Sequence, residues 1–175
     1  MKEIVQKEDS VLRQTAKPVL ESEINTSKIK KILADMKEAL DKEEDGVAIA
    51  ASQIGVSLRI FIVSGKIFSN PETGVKPAPE GKVEHLVFIN PEITKTSKKK
   101  SWIPEGCLSV RWTYGEVKRA ENVTVRALDE NGKSFVRGSG GLLAQIFQHE
   151  TDHLDGTLFT DKARNLEEVK PEENK

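Results

Sequence analysis

A chain of 175 residues fits one domain with an adequate core, and its formal net charge of -1 excludes a global field that favours nucleic acid or a membrane surface. Its single cysteine excludes an intramolecular disulfide and suits a reducing compartment. Residues 1–8 contain no apolar signal segment, and no apolar run reaches membrane length. We therefore expect one cytoplasmic domain over residues 1–175, with no membrane partner and no specific nucleic-acid partner.

The first half of the chain is predicted to hold an irregular lead-in, one helix and two strands. Residues 3–20 are expected to be extended and irregular. Ser27 is expected to cap a helix that runs to about Lys42, because apolar side chains recur there at helical spacing. A strand, a loop and a second strand follow: Leu58–Val63, Ser69–Glu84 and Leu86–Ile89. The second strand is expected to end at Asn90-Pro91.

The segment Gly46–Gly55 consists mainly of small residues. Its backbone therefore needs room, either for packing or for a ligand. Gln53 is the one long polar side chain in this stretch. The residues alone leave two interpretations open, a core glutamine satisfied by hydrogen bonds and a functional glutamine.

The second half begins with a basic run at Lys98–Lys100, which is expected to be a solvated loop. The segment Pro104–Val110 follows and contains the only cysteine, Cys107. A thiolate is a soft ligand that suits zinc or iron, whereas a buried inert cysteine is the alternative.

The remaining strands and the end of the chain are predicted from alternation and turn residues. Strands are expected at residues 116–128 and 134–137, with a hairpin turn at Asp129–Gly132 between them. The chain becomes strongly charged after Thr160, so residues from about 162 to 175 are expected to be a frayed tail.

Residues 141–155 are predicted to form a helix that carries an H-E-x-x-H motif, His149 to His153. Side chains four residues apart share a helix face, so both imidazoles can bind one metal ion, and Glu150 can reach a water there. The alternative is a surface helix with two solvated histidines. Apolar neighbours weaken that alternative, because an unpaired imidazole is costly to bury.

Three segments, in this order, resemble the three motifs of peptide deformylases. Gly46–Gly55 is similar to the glycine-rich first motif, Glu105–Ser109 matches E-G-C-L-S in full, and Gln148–Gly156 matches Q-H-E-x-D-H-L-x-G in full. The resemblance covers most of residues 8–162. It implies an α+β fold with small antiparallel β-sheets around a central metal-binding helix. It also implies a metal-dependent hydrolase that removes the N-formyl group from the N-terminal methionine of newly made proteins and releases formate.

The resemblance also implies a metal centre and a catalytic set. The ligands of one divalent ion would be Cys107, His149 and His153, and three protein ligands with an open position are the pattern of a catalytic site. Fe(II) is the expected ion, and Zn(II) or Ni(II) can occupy such a site. Glu150 would act as general base. The oxyanion would be held by two donors, the Gln53 side-chain amide and the Leu108 backbone N–H.

The substrate implied by the resemblance is an N-formylmethionyl peptide of a nascent chain, with the ribosome as a candidate partner. Its main chain would pair with the two segments that flank the metal, at Gly46, Val47, Ala48 and Gly106. Ile146 lies three residues before His149 on the helix, so it would line the methionine pocket together with Val47 and Leu108.

Four residues depart from the pattern of the family. Ala48 replaces the second glycine of the first motif, Ser52 and Arg111 each stand where proline is usual, and Gln145 occupies a position expected to be apolar. These departures concern substrate fit and rate more than metal binding.

Two other functions remain open from the sequence. An H-E-x-x-H endopeptidase would need a third ligand downstream, where the tail offers Asp161, Glu167 and Glu168 but no histidine. A non-catalytic metal-binding homologue that binds nascent chains would need neither Glu150 nor Gln53.

Overall fold

The computed structural model describes residues 2–69 and 85–170. Their helices are α1 (Ser27–Asp41), α2 (Lys66–Ser69) and α3 (Gly141–Leu154). Their strands are β1 (Ala48–Ala50), β2 (Ile60–Ser64), β3 (His85–Thr96), β4 (Lys100–Cys107), β5 (Val110–Ala120), β6 (Asn122–Leu128), β7 (Ser134–Gly140) and β8 (Arg164–Glu168). The loop predicted at Ser69–Glu84 lies, apart from Ser69, outside the described residues.

The strands form two antiparallel sheets, and helix α3 packs among them, which confirms the α+β class. The larger sheet has the order β1-β2-β3-β6-β7, and the smaller sheet has the order β4-β5-β8. Strands β1 and β4 are therefore edge strands, one in each sheet. Within residues 2–69 and 85–170, no helix combines the length and apolarity needed to cross a membrane.

The core is built around strand β2, which is buried on both faces. Alternate side chains of a strand point to opposite faces. Phe61 and Val63 therefore pack on the face shared with α3, whereas Ile60 and Ile62 pack on the face shared with α1. A strand covered by a helix on each side presents apolar side chains on both faces, which explains the uninterrupted apolar run from Ile60 to Val63.

Aromatic residues are sorted by type between the core and the surface. Phe61, Phe88 and Phe147 pack together in the core, with ring centroids of Phe61 and Phe88 4.5 Å apart. By contrast, Trp102 is 39% exposed, Trp112 37% and Tyr114 41%. Both tryptophans and the only tyrosine of the chain thus lie on the surface of the smaller sheet.

Helix α1 has nearly the predicted bounds, but its N-cap was placed one residue late. Thr26, and not Ser27, has the extended conformation of a cap, and its Oγ1 accepts a hydrogen bond from the N–H of Ile29 at 3.4 Å. The helix ends at Asp41, one residue before the predicted end.

Strand β3 does not end at Asn90-Pro91, so that prediction was wrong. The strand continues to Thr96 with a register shift between Ile89 and Glu92, and a proline is tolerated at such a bulge. Asn90 has a positive φ of 50°, and its side chain forms two hydrogen bonds of 2.8 Å with the backbone of Val19. These bonds hold the bulge in place.

Two further predictions about the second half need correction. The strand predicted at residues 116–128 is two strands, β5 and β6, which break at Glu121 and belong to different sheets. The tail predicted to be frayed from about 162 contains β8, which pairs with β5 at Thr113↔Glu168 and Tyr114↔Glu167. Residues 171–175 lie outside the described part of the chain.

We expect Ser52→Ala to stabilise the protein. Ser52 is 1% exposed, and its hydroxyl has no hydrogen-bond partner among the described protein residues. Since a buried hydroxyl without a partner is unfavourable, its removal should raise the free energy of unfolding by about 1 kcal/mol, measured by urea denaturation. Ser101→Ala is the control and should lower it, because Ser101 Oγ donates to Glu121 Oε1 at 2.6 Å. Destabilisation by both changes would contradict this prediction.

Candidate metal centre

Helix α3 presents both histidines of the H-E-x-x-H motif to the interior. Its apolar residues Leu143, Phe147 and Leu154 are buried in the core, which fixes how the helix is rotated. His153 is 1% exposed, and His149 is largely buried. The interpretation of a surface helix with two solvated histidines was therefore wrong.

Helix α3 ends at Leu154, one residue before the predicted end, and Gly156 follows its C-cap. Gly156 has a positive φ of 73°, and a Cβ there would lie 2.7 Å from the backbone oxygen of Arg13. Only glycine fits this position, because both the conformation and the close approach exclude a side chain.

Cys107 meets the two histidines at the end of strand β4. The ligand atoms of Cys107, His149 and His153 all lie within 4.8 Å of one another, and Cys107 Sγ is 3.2 Å from His153 Nε2. Metal bonds of about 2.3 Å to sulfur and about 2.0 Å to nitrogen require donors that are about 3 to 4 Å apart. The pair Cys107 and His153 meets this requirement, and the chemistry of the three donors fits one divalent ion. In the described part of the chain, no other group of Cys, His, Asp and Glu side chains does so.

Glu105 orients the first histidine. Its carboxylate accepts a hydrogen bond of 2.6 Å from His149 Nδ1, which leaves His149 Nε2 available to a metal. Arg119 donates two further bonds to the same carboxylate, of 2.6 and 3.0 Å. Arg119 also donates to Asp152 at 2.6 Å, and Lys162 donates to the other oxygen of Asp152. This buried ion network joins strands β4 and β5 to helix α3.

The sequence interpretation missed this network. Glu105 was identified only as part of a motif, and Arg119 was not singled out at all. Gln145, expected to be apolar, donates to Pro104 O at 2.8 Å and to Glu105 Oε2 at 3.3 Å. The available signal was the alternation of inward and outward positions in β5. Arg119 lies two residues after the buried Val117, so its charged side chain falls on the same, buried face.

The charges of the network shift the pKa of its members. Burial opposes ionisation of Glu105, but hydrogen bonds from His149 and Arg119 outweigh it and lower the pKa to about 2. Burial likewise opposes the Cys107 thiolate, yet its interactions with His153 and His149 lower the pKa of the thiol well below the usual value. The carboxylate of Glu105 and the thiolate of Cys107 are thus both favoured in their charged forms. The thiolate is the form in which a cysteine binds a metal.

Glu150 has a different environment from the carboxylates of the network. It is buried, and burial raises its pKa against the opposing effect of His149 and His153. Its Oε2 has no hydrogen-bond partner among the described protein residues, and the side chain lines the cleft beside the ligands. A free buried oxygen at this place can accept a proton.

Gln53 is fixed across the site from α3. Its Oε1 accepts from the N–H of Ala50 at 2.9 Å, so its NH2 group faces Cys107 Sγ at 3.6 Å and Ser109 Oγ at 3.1 Å. Both interpretations of Gln53 describe part of its side chain. Its Oε1 is satisfied by a hydrogen bond in the core, and its NH2 group points to the site.

The N-terminal lead-in supports the two residues predicted to hold the oxyanion. The N–H of Val5 donates to Gln53 O at 2.9 Å, and Gln6 Nε2 donates to Leu108 O at 3.1 Å. The segment expected to be merely irregular therefore packs behind the site, which its sequence did not indicate.

A cleft of about 270 Å³ opens over the three ligand positions. Its lining includes all five residues predicted to bind substrate: Gly46, Val47, Ala48, Gly106 and Ile146. Val47 is exposed, whereas the adjacent Ala48 is buried and belongs to the core, as expected for alternate positions at a strand.

Packing leaves little room for a side chain at the two glycines of the cleft. A Cβ on Gly46 would lie 2.9 Å from Glu43 Cβ, and one on Gly106 would lie 2.9 Å from the ring of Tyr114. Of the two explanations for the small residues of the first motif, packing or a ligand, packing therefore applies at Gly46.

Comparison with known proteins decides the family. A family model for polypeptide deformylase matches residues 1–169. The chain belongs to the peptide deformylase family. These hydrolases remove the formyl group from N-terminal methionine. A peptide deformylase of Symbiobacterium thermophilum is 45% identical over 169 residues, which cover 95% of this chain and 69% of that protein.

Another peptide deformylase, from Carboxydothermus hydrogenoformans, is 41% identical and covers 93% of each chain. The crystal structure of a peptide deformylase from Synechococcus elongatus in complex with actinonin has a TM-score of 0.77 at 33% identity, covering 94% of this chain and 79% of that one. The crystal structure of a class I type b peptide deformylase from Acinetobacter baumannii with Met-Ala-Ser bound has a TM-score of 0.77 at 32% identity. The match covers 91% of this chain and 96% of that one.

The family and the geometry together exclude the endopeptidase with a third ligand in the tail. Asp161 is bound to Arg13, and Glu167 and Glu168 lie exposed on β8. The third side chain beside the two histidines of this deformylase is Cys107.

We expect Glu105→Gln to weaken metal binding without removing a ligand. The neutral amide holds His149 less firmly and leaves Arg119 with one partner fewer, so zinc affinity should fall about 10- to 100-fold, measured by competition with a chelator. The free energy of unfolding should fall by about 3 kcal/mol. Glu116→Gln is the control, since Glu116 pairs with Arg164 near the surface. Unchanged zinc affinity in Glu105→Gln would show that His149 is oriented by other contacts.

Proposed function

We propose that this deformylase acts on the formylated ends of nascent proteins through one divalent ion held by Cys107, His149 and His153. The observation that carries the proposal is the convergence of these three donors in a cleft that also contains the free carboxylate oxygen of Glu150. When bound, a divalent ion supplies Lewis-acid chemistry, which activates a water and polarises the formyl oxygen.

Glu150 is the proposed general base. It lies next to His149 in the motif, its Oε2 makes no other hydrogen bond with the described residues, and its raised pKa reflects burial. In the proposed reaction, Glu150 takes a proton from the attacking water and delivers it to the leaving amine. The formyl C–N bond breaks, and formate and a free amino terminus are released.

Gln53 and Leu108 are the proposed donors to the oxyanion. The NH2 group of Gln53 is directed toward Cys107 by the bond from Ala50 to its Oε1, and the backbone of Leu108 directly follows Cys107. Donors fixed before the reaction stabilise developing charge at little cost in reorganisation. The hydrogen bonds from the N-terminal lead-in to Gln53 O and Leu108 O support this rigidity.

The substrate is proposed to bind as an extended chain between two edge strands. Residues 46–48 lead into β1, at the edge of the larger sheet, and Gly106 lies in β4, at the edge of the smaller sheet. Unpaired edges offer backbone donors and acceptors to a peptide. Val47, Leu108 and Ile146 line the cleft with apolar surface suited to a methionine side chain. The Met-Ala-Ser peptide in the deformylase from Acinetobacter baumannii also starts with methionine. We also propose the ribosome as a transient partner, because nascent chains emerge there.

Formate release from formyl-Met peptides, by protein prepared without oxygen, tests the proposal. A thiolate and two imidazoles bind Fe(II) and Zn(II) alike, so affinity does not choose between them. We propose Fe(II) as the working ion and expect the iron-loaded protein to be faster than the zinc-loaded protein and to lose activity in air. Metal analysis of the same samples checks the loading. Equal, air-stable rates for both ions would refute the choice of iron, and no release with either ion would refute the function.

Glu150→Gln tests the role of the base. The substitution keeps the size of the side chain and removes its ability to accept a proton. We expect a metal content close to that of the wild type and a formate-release rate lower by roughly 10²- to 10⁴-fold. Thr151→Ser, at the neighbouring position of the helix, is the control and should keep its rate. A variant Glu150→Gln with nearly full activity would show that another group accepts the proton.

A further inference from the structure

Arg111 links the two walls of the cleft at its mouth. Its guanidinium donates to Asp45 at 2.8 and 3.4 Å and also donates to Glu43. Arg111 lies at the start of β5, whereas Glu43 and Asp45 lie in the turn between α1 and β1. Arg111 and Asp45 both line the cleft.

The walls joined by this link belong to different sheets. One wall is the turn and strand that contain residues 46–48, in the sheet of β1 and β2, and the other contains Gly106 and Leu108, beside the sheet of β4 and β5. No strand of one sheet pairs with a strand of the other among residues 2–69 and 85–170. The distance between the walls is therefore held by side chains.

Two such side-chain links lie at opposite ends of the cleft. Deep in the site, Gln53 Nε2 donates to Ser109 Oγ at 3.1 Å. At the mouth, Arg111 bonds both carboxylates of the opposite turn. The turn itself is rigid, because the N–H of Gly46 donates to Glu43 O at 3.1 Å and Gly46 has no room for a Cβ. The position of the two carboxylates is thus coupled to the position of Gly46 and of the strand that follows it.

Surroundings of Arg111 distinguish it from a solvated surface ion pair. Its side chain is 23% exposed, it bonds two carboxylates, and its guanidinium carbon lies 5.5 Å from the ring centroid of Trp112. Trp112 has a positive φ of 63°, rare for a bulky residue, and its carbonyl accepts from the N–H of Val169 at 2.7 Å. The backbone beside Arg111 is therefore held in one unusual conformation that directs the guanidinium over the ring.

We propose that Arg111 is a positioning residue that sets the width of the cleft mouth, so that a peptide can bond both walls at once. The inference rests on the proposed function, since it assigns Arg111 to the binding of the same substrate. Arg111 does not touch the reacting atoms. Its loss should weaken peptide binding and leave the chemical step almost unchanged.

Kinetics with an uncharged substrate, N-formyl-Met-Ala-Ser-amide, test this inference. We expect Arg111→Ala to raise KM roughly three- to tenfold while kcat changes less than about twofold. Arg111→Lys should recover part of the loss, because an ammonium group can bond one carboxylate. The pair Glu43→Gln and Asp45→Asn should reproduce the effect of Arg111→Ala, and the triple variant should add nothing to it.

Salt dependence provides a second measurement, made on the wild type and on Arg111→Ala. Raising the salt concentration from about 0.1 M to about 1 M shortens the Debye length from about 10 Å to about 3 Å. The KM of the wild type should rise toward that of Arg111→Ala, whose own KM should stay constant. Since the substrate carries no charge, the change in KM reports an effect of salt on the protein.

Arg126→Ala is the matched control, because Arg126 forms an exposed ion pair with Glu92 that does not line the cleft. Its KM should equal that of the wild type. An unchanged KM in Arg111→Ala, or a fall in kcat together with the melting temperature, would overturn the inference. A wild-type protein that releases no formate would instead overturn the proposed function, and this inference with it.

Discussion

The carboxylate of Glu105 joins the strand that ends at Cys107 to the helix that carries both histidines. It accepts hydrogen bonds from His149 and Arg119, and Arg119 continues the network to Asp152 on α3. Buried charges are tolerated only when they are paired, so removal of one member leaves the others without compensation. The orientation of His149 therefore depends on a set of ion pairs whose other members are not proposed ligands, and the same network joins the strand of Cys107 to the helix of His153.

The location of this network follows from the topology. Two sheets with separate backbone hydrogen bonding meet around one helix, and the site lies on the seam between them. No backbone ladder crosses the seam among the described residues, so side chains hold it, through apolar packing such as that of Leu108 with Ile49 and through polar bonds. Gln53, Glu105 and Arg111 each bond a group on the opposite side. The same side chains that stabilise the seam thus determine the shape of the cleft.

Much of this architecture could be predicted from local patterns. Helix α1, strand β2 and helix α3 follow from the pattern of apolar residues, and two motifs located the cluster of Cys107, His149 and His153. Contacts between distant segments left no local signal. Asn90 sustains its bulge through Val19, and the N-terminal lead-in reaches Leu108 through Gln6.

Strand assignment failed for related reasons. An alternating run from residue 116 to 128 has the same pattern whether it is one strand or two strands that belong to different sheets. The charged segment Arg164–Glu168 pairs with β5 through its backbone, which its composition does not reveal. Arg119 is buried only because Glu105 and Asp152 surround it in space.

The exposure of both tryptophans gives this protein an uncommon optical property. Trp112 lines the cleft beside Arg111, and Trp102 lies under the guanidinium of Arg164, 3.9 Å from its ring centroid. Tryptophan emission responds to contact with water, and both indoles already have it in the folded state. The intrinsic fluorescence of the protein therefore reports little about its core. The emission of Trp112 reports the mouth of the cleft, so a peptide that covers this indole should change the signal without a label.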